Sequence, residues 1–96
     1  MKHYEIMFIV RPTLSEEDIQ KVAKNFEDVL TNNGATVTEV KEMGQRELAY
    51  EINKFKNGYY YLINLDASND EAINEFDRLA RNSKDIIRHL ITKIED

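Results

Sequence analysis

A chain of 96 residues, 42% hydrophobic and 32% charged, is long enough for a modest core, and a single domain over residues 1–96 is expected. No apolar run approaches the roughly 20 residues that span a bilayer, and no signal-peptide pattern opens the sequence, so a cytoplasmic chain with no membrane segment is expected. Cysteine is absent, which excludes disulfides and thiolate metal sites, and the formal net charge of −5 argues mildly against a nucleic-acid partner, because phosphate binding needs cations.

The first element, Tyr4 to Val10, reads as a strand apolar nearly throughout. Tyr4, Ile6, Phe8 and Val10 share one face, and Met7 and Ile9 lie on the other, so the strand needs cover on both sides. Arg11-Pro12 ends it, since proline has no N–H for a ladder. Ser15 then caps a helix, with Asp18 three residues on and acids through the first turn. Ile19, Val22, Ala23, Phe26, Val29 and Leu30 recur at helical spacing and form its buried stripe. Asn33-Gly34 stops the helix, with glycine supplying a left-handed conformation.

From Ala35 a second strand of weaker pattern begins. Val37 and Val40 are out of phase for strict alternation, which predicts a bulge or twist between them. Gly44 reads as either a turn between two strands or a bend in one, and the preferred reading is a bend in one long strand that continues to Ile52. The stretch Asn53 to Gly58 carries turn formers, and Tyr59 to Leu65 forms the antiparallel return strand. This strand is again apolar on both faces, with Tyr60 and Leu62 opposite Tyr59, Tyr61, Ile63 and Leu65. Ser68 and Glu71 then match a second capping box, and Ile73, Phe76, Leu79 and Ala80 give a shorter helix its buried face. Asn82-Ser83 breaks that helix, Asp85 to Ile94 reads as a last, β-branched strand, and Glu95-Asp96 as a polar end.

The order is βαββαβ. It predicts an α+β, ferredoxin-like fold: a four-stranded antiparallel sheet with two helices on one face, first and third strands central. The two strands that are apolar on both faces are the two this plan places in the middle. Two helices cover one side only, so Met7, Ile9, Tyr60 and Leu62 are expected at solvent on the other, as an interaction patch. Such a patch suits either base stacking or the burial of another protein's apolar segment. Tyr60 is the only aromatic among the four, which favours protein at the sheet centre and RNA at a basic rim.

The charges are segregated. Half of the 18 acids fall in the two predicted helices, whereas between Arg78 and Lys93 five cations face only Asp85. Lys2, Arg46, Lys54, Lys56, Arg88 and Lys93 are the candidate phosphate contacts. Catalytic chemistry is thin, and neither an enzyme, a metal site nor a cofactor is expected. Ser15 and Ser68 are read as caps, and no carboxylate is placed by motif to orient His3 or His89. The three glycines are scattered, so no phosphate-cradling loop exists, and the loop after the first strand offers only Arg11.

Several runs carry a family resemblance. They are Tyr4-Glu5 with Arg11-Pro12, Gly44-x-Arg46-x-Leu48-Ala49-Tyr50-x-Ile52, Gly58-Tyr59-Tyr60, and Asp85-Ile86-Ile87-Arg88-His89-Leu90. Together they closely resemble bacterial small-subunit ribosomal protein six, over Met1 to Lys93 without a gap. Departures are small: many members have proline at Glu51, two glycines at Asn33-Gly34 and tryptophan at Met43. The resemblance implies a structural constituent of the small ribosomal subunit that binds the central domain of 16S ribosomal RNA together with ribosomal protein eighteen. Arg46, Tyr50, Tyr60 and Arg88 match the family pattern by position. On this reading Lys2, Arg46, Arg88 and Lys93 hold RNA, Met7, Ile9, Tyr60 and Leu62 pack on the protein partner, and the free chain is monomeric. The alternative is a ferredoxin-like regulatory domain that binds a small molecule as a homodimer, which a stable homodimer in sedimentation would favour.

Overall fold

The computed structural model describes residues 2–52 and 54–94; Met1, Asn53 of the expected turn and the polar end Glu95-Asp96 lie outside the described residues. The elements run β1 (Lys2–Val10), α1 (Glu16–Asn32), β2 (Thr36–Ile52), β3 (Phe55–Ala67), α2 (Glu71–Asn82) and β4 (Ile86–Ile94). The strands form one antiparallel sheet in the order β2-β3-β1-β4, so β1 and β3 are central as their two-sided apolar pattern requires.

The core lies between the sheet and the helices. Phe8 of β1 stacks on Tyr61 of β3 at 5.3 Å between ring centroids, and Phe26 of α1 and Phe76 of α2 close over it at 6.0 and 5.8 Å. Tyr4, Ile6, Val10, Ile63 and Leu65 complete the sheet side of this layer. From α1, Ile19, Ala23, Phe26 and Leu30 are buried, while Val22 and Val29 flank them partly exposed. Ser15 caps α1 as expected, its hydroxyl accepting the Asp18 N–H at 3.2 Å, and Gly34 follows the helix at φ 91°.

The start of α2 differs from the expected capping box. Asp70, not Ser68, is the N-cap, and it makes no side-chain cap bond. Its carboxylate is taken from across the fold: Tyr4 donates its hydroxyl to Oδ1 at 2.9 Å, and Lys2 Nζ stands 3.8 Å away. Asn69 instead accepts the Glu71 N–H at 3.0 Å. The buried face of α2 is Ala72, Phe76 and Ala80, with Ile73 and Leu79 only partly covered.

β2 is one strand through Gly44, which sits at φ 80°. Its register against β3 shifts between Val37 and Glu39, where the phase break of the valines predicts it, and again between Glu42 and Gly44. The expected turn over Asn53 to Gly58 is shorter than its composition suggests. Ile52 already pairs with Phe55, and Lys54 at φ 70° carries the reversal, so Phe55 to Gly58 belong to β3. Between Glu47–Asn57 and Ile52–Phe55 the ladder gives β2 four residues, Leu48 to Glu51, against Lys56 alone. That excess makes the end of the hairpin a bulged arm.

Candidate functional site

The register sets out the helix-free face row by row. Gly44, Tyr60, Ile9 and Arg88 form one row across β2, β3, β1 and β4; Lys41, Leu62, Met7 and Leu90 form the next. Below them come Glu39, Asn64, Glu5 and Thr92, then Thr36, Asp66, His3 and Ile94. Above them, Arg46 stands opposite Gly58. The face is therefore apolar in the middle, cationic at the Arg46–Arg88 end and acidic at the Glu5–Asp66 end.

Neither helix covers these rows. Met7, Tyr60 and Leu62 are half-buried, and Leu90 keeps 55% of its surface exposed. Ile9 departs from expectation, being only 2% exposed. The arm of the β2–β3 hairpin covers it. Leu48, itself 8% exposed, joins Ala49, Tyr50 and Ile52 to wall a cleft of about 220 Å³ over Met7, Ile9, Tyr60 and Leu90. Arg88 reaches across from β4 and donates from Nη1 to the Tyr50 hydroxyl at 2.9 Å, while Tyr50 itself stays 64% exposed. Ile9 also packs against Gly58, where a side chain is missing: a Cβ built there would lie 2.4 Å from Ile9 Cγ2. Ile9 thus supports the surface from beneath, and Met7, Tyr60, Leu62 and Leu90 present it.

The four expected RNA contacts separate into two pairs. Arg46 and Arg88 share the open face near the arm, and Lys56 continues the same side of β3. Lys2 and Lys93 pair with Ala67 and Tyr4, which places them on the helix-bearing face at the opposite end of the sheet. Lys2 there faces Asp70. Two surface residues of this site, Leu90 and Ile94, were missed from sequence. Alternation along β4 from Arg88, combined with the pairing of β4 to β1, is the signal that identifies them.

The groups with chemical potential are engaged elsewhere. Arg11 donates from Nε to Asp85 at 2.9 Å and from Nη1 to Thr13 at 3.0 Å, which ties the loop after β1 to the start of β4. His3 bonds Asp66 on the open face, and His89 Nε2 lies 2.8 Å from Asp77 Oδ1 beneath α2. His89 and the Arg81 guanidinium hold the Asp77 carboxyl below the usual carboxylate range. Burial, with Glu42 beside it, pushes the Tyr61 phenol up to about 12. Among the described residues no group of three or more His, Asp or Glu side chains is placed to hold a metal ion, and no helix is long and apolar enough to cross a membrane.

Comparison with known proteins bears on the family and the fold. A sequence family described as ribosomal protein S6 matches residues 3–93. A crystal structure of 30S ribosomal protein S6 from Thermotoga maritima superposes with a TM-score of 0.93 at 28% identity, covering 97% of this chain and 87% of that one. The C-terminal domain of the MgtC protein from Mycobacterium tuberculosis superposes at 0.62 with 14% identity, over 99% and 89% of the two chains. The second likeness speaks to the fold alone.

Proposed function

We infer the function from one premise: the chain belongs to the ribosomal protein S6 family. It is accordingly a small-subunit ribosomal protein, in a family whose role is structural. We propose that it acts in the cytoplasm by binding the central domain of the small-subunit ribosomal RNA jointly with ribosomal protein eighteen. The observation that carries this reading is the adjacency of two surfaces on one face. Apolar side chains that no helix covers, Met7, Tyr60, Leu62 and Leu90, lie next to the cations Arg46 and Arg88. Apolar rows receive a protein segment, and guanidinium groups beside them receive phosphates.

An acidic chain with few cations on that face has weak affinity for RNA by itself. Joined to a partner on the apolar rows, the two proteins present one continuous surface, and each binding event favours the other. Filter-binding titrations of the RNA with and without ribosomal protein eighteen test this. Tighter binding by the pair is expected; equal affinity rejects joint recognition. In the same assay Arg46→Ala and Arg88→Ala lower the slope of log affinity against log salt, by roughly one unit for each phosphate that is no longer neutralised. Lys2→Ala, on the other face and beside Asp70, changes that slope less.

A further inference from the structure

We propose that, in the absence of its partner, the open face of this chain pairs weakly with the open face of a second copy. The argument is one of charge and shape. Arg46 and Arg88 mark one end of the face and Glu5 the other, where Asp66 is already bonded to His3, with the apolar row Leu62, Met7 and Leu90 between them. Lys41 adds no net charge at the edge of that row, because its Nζ lies 3.2 Å from Glu39. A two-fold axis across the strands, through the apolar row, sets the cationic end of each copy over the acidic end of the other. A two-fold along the strands sets like ends together and is disfavoured.

Shape selects the same arrangement. The arm raises the face at the Arg88 end, where Leu48 to Ile52 lie over Ile9. At the other end His3, Thr38, Asn64, Asp66 and Ile94 line a hollow of about 300 Å³. Each copy therefore offers a raised end and a hollowed end, and the transverse two-fold seats one against the other. The shared strip is small. Four strands about 4.8 Å apart and four full rows about 6.8 Å apart give a footprint near 500 Å², short of the roughly 800 Å² per partner of a stable complex. The homodimer is consequently weak and salt-sensitive, and the expected free monomer holds at high dilution.

Pairing of copies does not depend on the ribosomal reading; its displacement by ribosomal protein eighteen does. Sedimentation of the full chain over a range of concentrations, in about 50 mM and about 500 mM salt, tests the pairing. The expected result is a rise toward twice the chain mass in low salt and a dissociation constant at least about tenfold weaker in high salt. Arg88→Glu or Glu5→Lys alone abolishes the dimer, and the two together restore it, an outcome that misfolding cannot produce. A monomer at every concentration overturns the proposal, as does a dimer indifferent to salt and to both reversals. Adding ribosomal protein eighteen then dissolves the homodimer into a one-to-one complex. A homodimer that forms but persists in its presence leaves the pairing standing and removes the shared-face reading of the partner.

Discussion

Gly58 stands opposite Arg46 on a central strand, and the space its side chain would need belongs to Ile9. A Cβ at this position meets Ile9 Cγ2 at 2.4 Å and the Val10 carbonyl oxygen at 3.2 Å. Ile9 is β-branched and buried, so it has no easy retreat. Gly58→Ala is expected to destabilise the chain by about 1–3 kcal/mol in urea unfolding, and to loosen the floor of the cleft under the arm. Asp77 makes a second point about single groups. His89 and Arg81 favour its charged form, so its folded pKa lies below its unfolded one. Stability from this group is full above the unfolded value of about 3.9 and is lost as pH falls through the lower folded value. Unfolding free energies measured from about pH 5 down to about pH 2 should therefore fall less steeply in Asp77→Asn than in the natural chain.

The two helices begin with similar letters and different physics. Ser15 bonds the Asp18 N–H, whereas Ser68 is outside the cap of α2. Ser15→Ala should cost about 1 kcal/mol in thermal or urea unfolding. Ser68→Ala, at an exposed position with no cap bond, should stay within about 0.5 kcal/mol of the natural chain. This contrast marks what was legible in the sequence. Period and local capping decide the extent of α1, the two-sided strands β1 and β3, and the phase break at Val37, because each depends on neighbours a few residues away. The cap of α2 depends on Tyr4, which takes Asp70 from a strand 66 residues earlier in the chain. The same holds for the site. That β1 and β3 present apolar residues away from the helices was readable from alternation. The burial of Ile9 was not, since it arises from an arm whose bulge and tight reversal at Lys54 depend on strand register. Lys2 and Lys93 pointed to RNA by charge alone, and only the pairing of β1 with β3 and β4 separates them from Arg46 and Arg88.

Across the whole molecule, a net charge of −5 conceals a face with two signs, and this polarity, more than the average, decides which surfaces can meet it. The helices expose half of their acids and bury aromatic rings inward, so the open sheet is the broad apolar face left to make contacts. Of its two edge strands the longer is the 17-residue β2, whose unpaired side runs along the rim of the sheet. A smooth rim of that length is a template for stray chains and the seed of a fibre. The register steps after Val37, Glu42 and Glu47 cut it into stretches too short and too twisted to be copied, with Gly44 at φ 80° holding the middle one. Gly44→Val, which disfavours that bend, should make heated solutions scatter light sooner than the natural chain does at the same fraction unfolded. The kinks that look like flaws in β2 are expected to keep free copies from joining edge to edge.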